Sequence, residues 1–157
     1  MKALVIYDSF YGNTEQIARA IGDALGSSAE VEVLKVGEVK PEQLAGLDLL
    51  IVGSPTRAFR PTPAITNLLK AIPANGLGDV KVAAFDTRFP ADMGPAILRF
   101  LAGLFGYAAK PISDRLKKKG GKLTVPPEGF LVEGAEGPLK EGELERAAKW
   151  ARQVMAT

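Results

Sequence analysis

The sequence alternates short, continuous apolar runs with segments whose apolar residues recur at helical spacing. The run ALVIY (residues 3–7) is bounded by Asp8 and is typical of a strand buried on both faces. The apolar residues that follow it fall on one stripe of a helix, which Gly26 would end: Ile17, Ala18, Ile21, Ala24 and Leu25. A strand, a helix and a further strand in this order predict right-handed βαβ units and a parallel sheet.

The same alternation continues along the chain. Strands are predicted at residues 31–36 (VEVLKV), 47–53 (LDLLIVG) and 80–85 (VKVAAF), with a helix at residues 63–72. A helical region at about residues 96–119 should break before Pro111 and stop at Gly120 and Gly121.

The last part of the chain predicts one more strand and one more helix. KLTV and GFLV, on either side of Pro126 and Pro127, predict a single interrupted fifth strand. A closing helix is indicated by four apolar residues: Leu144, Ala148, Ala151 and Met155. Because the chain shows no repeat, low-complexity tract or linker, we expect one α/β domain over residues 1–157.

The chain contains no cysteine and no histidine. This composition excludes disulfides, thiolate-bound iron–sulfur clusters, His-ligated haem and zinc sites of the usual Cys/His type. Any redox chemistry must therefore belong to a bound organic cofactor, and we predict no metal site.

Charge and hydropathy further limit the expected partners and location of the protein. A net charge of +2 is too small to indicate nucleic-acid or membrane binding. The apolar runs are too short to cross a bilayer, and MKALVIYDSF lacks the apolar core of a signal peptide, so we expect a cytoplasmic protein. Residues 110–122 hold six basic residues against Asp114, and residues 128–145 hold six glutamates against Lys140. This pattern favours two solvated faces of opposite sign over a docking surface.

Three connections leave the carboxyl ends of predicted strands and carry more hydroxyl, arginine and aromatic side chains than a turn requires. They are DSFYGNT (residues 8–14), SPTRAFRPTP (54–63) and DTRFPADMG (86–94). In an open parallel sheet, ligands bind at this edge, where the strand order reverses. We therefore predict a ligand site formed by these three connections.

The first connection has the composition of a phosphate-binding loop. It enters a helix N-terminus, whose first backbone N–H groups have no intrahelical partner. Ser9 and Thr14 add hydroxyl donors, Asn13 adds an amide, and Gly12 allows a close turn. The absence of Lys and Arg suits one terminal phosphate, and neither a Walker loop nor a dinucleotide loop is matched. The alternative is a plain helix cap, in which Asn13 is the N-cap and the Gln16 side chain bonds back to the N-cap backbone.

The other two connections offer aromatic side chains. Phe59 could cover one face of a planar ring and Phe89 the other, while Ser54, Thr56 and backbone groups meet its polar edge. The alternative is that both phenylalanines are core residues.

These residues resemble the flavodoxin family. SFYGNT is similar to its FMN phosphate loop, Ser/Thr-x-Thr-Gly-x-Thr, with Tyr11 in place of the first Thr. VGSPTRAFRPTPAI and AAFDTRFP look like its two flavin loops. GFLVEGAEGPLKEGELERAAKWA is similar to the C-termini of stand-alone flavodoxin-like proteins of prokaryotes. The resemblance implies a three-layer sandwich in which helices cover both faces of a five-stranded parallel sheet of order 2-1-3-4-5.

The resemblance also implies FMN as the cofactor. The residues expected to bind it are Ser9, Phe10, Tyr11, Gly12, Asn13, Thr14, Ser54, Pro55, Thr56, Arg57, Ala58, Phe59, Asp86, Thr87, Arg88 and Phe89. The family's usual work is one-electron transfer between redox partner proteins, here a reductase and an electron acceptor, and no side chain stands out as a catalytic acid, base or nucleophile. An NAD(P)H-dependent FMN or quinone reductase on the same fold and a flavin-free interaction module remain alternatives. The oligomeric state stays open.

Two departures from the family pattern bear on the flavin. Arg57-Ala58-Phe59 lies where many members have a glycine-containing peptide, and a positive φ there would cost about 1–2 kcal/mol. Flavodoxins commonly surround the flavin with acids, whereas here three arginines outnumber Asp86 and Asp92: Arg57, Arg60 and Arg88. This count predicts a less negative potential for the second one-electron reduction.

Overall fold

The computed structural model describes residues 1–57, 59–89 and 107–157. Its strands are β1 (Lys2–Tyr7), β2 (Glu30–Lys35), β3 (Leu49–Pro55), β4 (Lys81–Arg88), β5 (Lys122–Leu123) and β6 (Glu128–Leu131). Its helices are α1 (Asn13–Leu25), α2 (Pro63–Ala71), α3 (Ala109–Lys118) and α4 (Glu143–Ala156). In these ranges, no helix has the length and apolar character required to cross a membrane.

The strands form one parallel sheet of order β2-β1-β3-β4-β5, in which β6 also pairs with β4. The interrupted fifth strand is confirmed, because β5 and β6 lie along the same edge of β4 on either side of Pro126 and Pro127. The strand order reverses between β1 and β3. The predicted fold class, including its sheet order, is therefore confirmed.

Strand β1 is buried on both faces, as its continuous apolar run predicts. Ala3, Val5 and Tyr7 pack into the core beneath α1 and α4. Leu4 and Ile6 point to the other face and pack into the core beneath α2 and α3. Since successive side chains of a strand alternate between faces, both layers of helices are anchored on this single strand.

Strands β3 and β4 extend further than their apolar runs predict. Pairing continues through Ser54 with Asp86 and through Pro55 with Thr87, and β4 pairs with β6 as far as Arg88. Polar residues assigned from the sequence to loops therefore lie in the sheet, where the ladder fixes their backbone.

The break predicted before Pro111 corresponds to the start of α3. This helix begins at Ala109, so Pro111 lies in its first turn, where proline is tolerated. Lys119 is its C-cap and Gly120 follows with a φ of 100°, as the predicted stop requires. The part of the predicted helical region at residues 96–106 lies outside the described residues.

The buried face of α4 differs from the predicted one. Leu144 is 42% exposed, whereas Trp150 is buried with Phe85 and Phe130 as edge-on neighbours, at ring-centroid distances of 6.1 and 6.0 Å. The other buried apolar residues of the helix are Ala147, Ala151 and Val154. The prediction of Leu144 was wrong because burying the large indole rotates the helix away from it.

Charged side chains fasten the first turn of α4 to β6. Glu143 accepts a 2.7 Å hydrogen bond from the Leu131 N–H and pairs with Arg146. The Arg146 guanidinium lies 4.6 Å from the centre of the Phe130 ring and also donates to the Gly129 carbonyl. These contacts fix both ends of the segment at residues 132–142.

Gly53 should be intolerant of any side chain. A Cβ at this position would overlap the Phe85 ring, whereas a Cβ at the exposed Gly37 would meet nothing within 4 Å. We expect Gly53→Ala to lower the free energy of unfolding by about 1–3 kcal/mol, because Phe85 must leave its packed position. Denaturant unfolding measures this, with Gly37→Ala as the control. Equal losses in the two variants would contradict it.

Glu143 should make stability depend on pH. Burial alone would raise the pKa of its carboxyl, but Arg146 and the Leu131 N–H outweigh burial and leave the pKa below its ordinary value. A lowered pKa stabilises the fold above the unfolded value of about 4.3, and this contribution is lost as the pH falls through the folded pKa.

We therefore expect the difference in unfolding free energy between the parent and Glu143→Gln to shrink as the pH falls from 7 to 3. Glu145→Gln changes an exposed glutamate of the same helical turn and is the matched control. A difference that stays constant with pH would contradict the prediction.

Candidate functional site

A cavity of about 430 Å³ opens at the carboxyl ends of β1, β3 and β4, beside the N-terminus of α1. This is the edge at which the strand order reverses. The cavity is lined by Ser9, Phe10, Tyr11, Asn13, Thr14, Pro55, Thr56, Arg57, Thr87, Arg88, Phe89, Val132, Ala135 and Glu136.

The three predicted connections meet at this cavity, but not every predicted residue lines it. Of the predicted residues that the structure describes, four do not line it: Gly12, Ser54, Phe59 and Asp86. Ala58 lies outside the described residues. Three lining residues were not predicted, and all follow β6: Val132, Ala135 and Glu136. The signal that could have found them is the carboxyl end of the fifth strand, which must reach the same edge.

The N-terminus of α1 is not closed by a side-chain cap. Its N-cap is Gly12, which has a φ of 90° and makes no side-chain cap hydrogen bond. The predicted alternative of a cap by Asn13 is wrong, because Asn13 is the first helical residue and its amide donates to the Glu136 carbonyl at 3.0 Å. The helix N-terminus is therefore left available to a ligand.

Hydroxyl groups surround this helix end. The Gly12 N–H donates to Ser9 Oγ at 3.0 Å, which leaves the serine proton available to an anion. Thr14 Oγ1 and Thr87 Oγ1 are 2.7 Å apart and join the start of α1 to the end of β4. One hydroxyl of this pair donates to the other, so one proton remains for a ligand.

Aromatic side chains stand at the mouth of the cavity. Phe10, Tyr11 and Phe89 all line it and are 53%, 50% and 40% exposed. Phe59 was predicted to cover a ring, but it lies edge-on to Tyr107 at 6.5 Å between ring centroids and does not line the cavity. The exposed aromatic surface thus comes from the first and third connections.

The second connection forms a tight turn with a strained residue. Arg57 and Arg60 exchange backbone hydrogen bonds of 2.8 and 2.9 Å, and Phe59 between them has a φ of 66°. The positive φ considered from the sequence is thus present at Phe59, and it costs a non-glycine residue about 1–2 kcal/mol. The turn holds the Arg57 guanidinium 5.1 Å from the centre of the Phe10 ring.

Two hydroxyls of this connection form hydrogen bonds to the protein's own backbone. Ser54 is fully buried; it accepts the Thr62 N–H at 3.0 Å and donates to the Pro55 carbonyl at 2.8 Å. Thr56 Oγ1 accepts the Ala108 N–H at 3.1 Å. Ser54 therefore fixes the backbone at the start of α2 and does not line the cavity. Thr56 lines the cavity and also binds the residue that precedes α3.

Asp86, which is fully buried, forms an ion pair with the partly exposed Arg88 beside the cavity. Both carboxylate oxygens of Asp86 accept from the Arg88 guanidinium at 2.7 Å, and one also accepts the Ala109 N–H at 2.9 Å. Burial raises the pKa of the Asp86 carboxyl, and the Arg88 guanidinium and the Ala109 N–H oppose that shift. The guanidinium lies 3.8 Å from the centre of the Tyr107 ring.

Because of this ion pair, fewer arginines at the site carry an unpaired charge than the sequence predicted. The charge of Arg88 is matched by Asp86, and Arg60 does not line the cavity. Arg57 remains as a lining cation, and it forms no ion pair with the residues that the structure describes. Of the three arginines counted from the sequence, Arg57 is therefore the one expected to act most directly on the potential of a bound ligand.

The donors and surfaces fit a planar cofactor that ends in one phosphate. One end offers a helix N-terminus with hydroxyl protons and no cation in the loop, which suits a phosphate. The other end offers exposed aromatic faces, and the volume lies in the usual range of ligand cavities, roughly 300–1,000 Å³. Within the described ranges no cluster of three or more acidic side chains could hold a metal ion.

Comparison with known proteins agrees with this geometry. A flavodoxin of Picosynechococcus sp. is 51% identical over 45 residues, which are 29% of this chain and 26% of that protein. The oxidised flavodoxin 1 of Bacillus cereus has a TM-score of 0.79 at 17% identity, over 99% of this chain and 98% of that one. Flavodoxin 2 of the same organism has a TM-score of 0.78 at 23% identity, over 99% of both chains. At these identities the solved structures show the fold.

The family itself is shown by a match along most of the sequence. The model of the family described as flavodoxin matches residues 5–150, which include all three connections and β6. The chain therefore belongs to the flavodoxin family, whose cofactor is FMN.

Proposed function

We propose that this chain holds FMN in the cavity and carries electrons one at a time between a reductase and an acceptor protein. The observation that carries the proposal is the uncapped N-terminus of α1, which opens at the strand switch point among hydroxyl donors. FMN, when bound, supplies the one-electron chemistry, while the protein supplies binding, orientation and electrostatics.

The phosphate would be held by neutral groups. Ser9 and Thr14 line the cavity and can each direct a hydroxyl proton towards it, and the first amides of α1 add N–H donors. The helix dipole favours an anion at this position. Asn13 contributes indirectly, because its bond to the Glu136 carbonyl holds the wall of the cavity against the helix.

The flavin ring would lie towards the aromatic mouth. Tyr11 and Phe89 offer apolar faces, and Pro55, Thr56 and Arg57 form the adjoining wall. Because the aromatic side chains at the mouth are about half exposed, the ring edge would be within reach of another protein without any opening motion. This exposure favours an electron carrier.

Removal of the Thr14 hydroxyl should weaken FMN binding. A hydrogen bond to a charged group contributes about 1.5–3 kcal/mol, so Thr14→Val should raise the Kd by about 10- to 100-fold. Quenching of flavin fluorescence during titration of the apoprotein measures the Kd. Ser9→Ala is expected to act in the same direction, and Thr66→Val, which lies on α2 away from the cavity, is the control. An unchanged Kd in both site variants would contradict the proposed phosphate site.

Replacement of Arg57 should lower the potential of the second one-electron reduction. A unit charge about 8 Å from the ring, at an effective dielectric constant of about 40, contributes roughly 1 kcal/mol, or about 40 mV. We expect Arg57→Gln to shift the potential downward by about this amount in an anaerobic titration. Arg60→Gln, which changes an exposed arginine outside the lining, should shift it much less.

Addition of NADPH under argon tests the choice between a carrier and a reductase. The oxidised holoprotein should keep its yellow colour, because a carrier receives electrons from a separate reductase. Prompt bleaching by NADPH alone would overturn the carrier proposal in favour of a reductase.

A further inference from the structure

We infer that the chain docks redox partners through a positively charged face, and that the matching partner presents an acidic surface. We define the basic face as the exposed residues Arg57, Arg60, Lys110 and Lys117 together with the aromatic mouth of the cavity. This inference rests on the proposed function, since it names the kind of protein that exchanges electrons at that site.

The exposed apolar surface is concentrated at the cavity. Among the described residues, five large hydrophobic side chains are exposed, and three of them line the cavity mouth: Phe10, Tyr11 and Phe89. Aromatic residues are enriched at protein interfaces, where they contribute contact area at the centre of the patch. The part of the surface nearest the proposed flavin ring therefore has the composition of an interface core.

Two cations of α3 line a concavity that adjoins the cavity. A second, shallower concavity of about 380 Å³ is lined by residues that include Arg88, Tyr107, Lys110 and Lys117. Arg88 lines both concavities, so they share a wall. Lys110 and Lys117 thus flank the cavity from the α3 side.

The charge of this flank is not cancelled by its acids. Asp114 faces two ammonium groups, with Lys110 Nζ at 3.1 Å and Lys117 Nζ at 3.8 Å. One carboxylate cannot neutralise two lysines, and all three side chains are about half exposed or more. Arg57 adds an exposed cation in the cavity lining, and Arg60, whose backbone is hydrogen-bonded to that of Arg57, adds another exposed cation outside the lining.

The small net charge of the chain conceals an uneven distribution of basic and acidic side chains. Residues 110–122 carry six basic side chains and one acid, whereas residues 128–145 carry six acids and one lysine. Helix α3 packs on one face of the sheet and α4, whose first turn contains the last two glutamates of the acidic segment, packs on the other. The sequence pattern favoured two solvated faces, but the fold places Lys110 and Lys117 of the basic segment beside the cavity, whereas the acidic segment contributes one carboxylate, Glu136, to the cavity lining. Complementary charge of this kind steers association and fixes orientation.

The test uses two charge-reversal variants that change the net charge equally. Lys110→Glu with Lys117→Glu alters the basic face, and Lys149→Glu with Arg152→Glu alters exposed residues of α4 on the opposite face of the sheet. Neither pair belongs to the proposed cofactor site. Lys110→Gln with Lys117→Gln serves as a milder variant, and circular dichroism verifies that each variant is folded.

Two measurements at low and high salt give the readouts. The first is the Kd for an acidic plant-type ferredoxin and for basic cytochrome c, measured by calorimetry with apoprotein and with FMN-loaded protein. The second is the rate at which the reduced holoprotein is oxidised by ferricyanide, a trianion, and by hexaammineruthenium(III), a trication. We expect tighter binding to ferredoxin than to cytochrome c, and a ferricyanide rate that falls as salt increases.

Reversal of the basic face should weaken ferredoxin binding by about tenfold or more, and the control reversal should change it by less than about twofold. Equal effects of the two variants, or a preference for cytochrome c, would overturn the inference. Duplex DNA that competes as well as ferredoxin does would also overturn it, by indicating general attraction of polyanions. If the apoprotein takes up no FMN, the proposed function fails separately, and the calorimetry with apoprotein still decides the docking surface.

Discussion

The parallel pairing of β1, β3 and β4 is the constraint from which the site follows. Three strands that run in the same direction must end at the same edge, so the chain segments that leave them meet there. β1 holds this arrangement in place because both of its faces are buried under different layers of helices. The ladder between β3 and β4 then continues to Thr87 and brings its hydroxyl to within 2.7 Å of the Thr14 hydroxyl.

Much of the fold and of the candidate site could be predicted from the sequence because the strand and helix positions depend on local signals. The continuous apolar runs located the strands, and the strand–loop–helix passage through SFYGNT located the helix end that faces the cavity. Ser9, Thr14, Arg57 and Phe89 reach the cavity for this reason: each stands just beyond or near the end of a buried strand. The topology rule alone is enough to assemble them.

The remaining details depend on contacts between residues that are distant in sequence. Thr56 Oγ1 accepts the Ala108 N–H, and the Arg88 guanidinium lies over the Tyr107 ring, and no local pattern shows either contact. Likewise, Leu144 and Trp150 both fit a helical stripe of α4. Only the space beside Phe85 and Phe130 decides that the indole is the buried one.

The bond between the Asn13 amide and the Glu136 carbonyl has a consequence for the order of assembly during synthesis. The part of the cavity beside α1 is lined by residues of the first connection, between Ser9 and Thr14, yet one wall is contributed by Val132, Ala135 and Glu136. A ribosome-bound chain would thus contain the connection at residues 8–14 long before the cavity is complete. The complete cavity is therefore present only once translation has passed β6, so any ligand that needs this wall must bind after most of the chain has been synthesised.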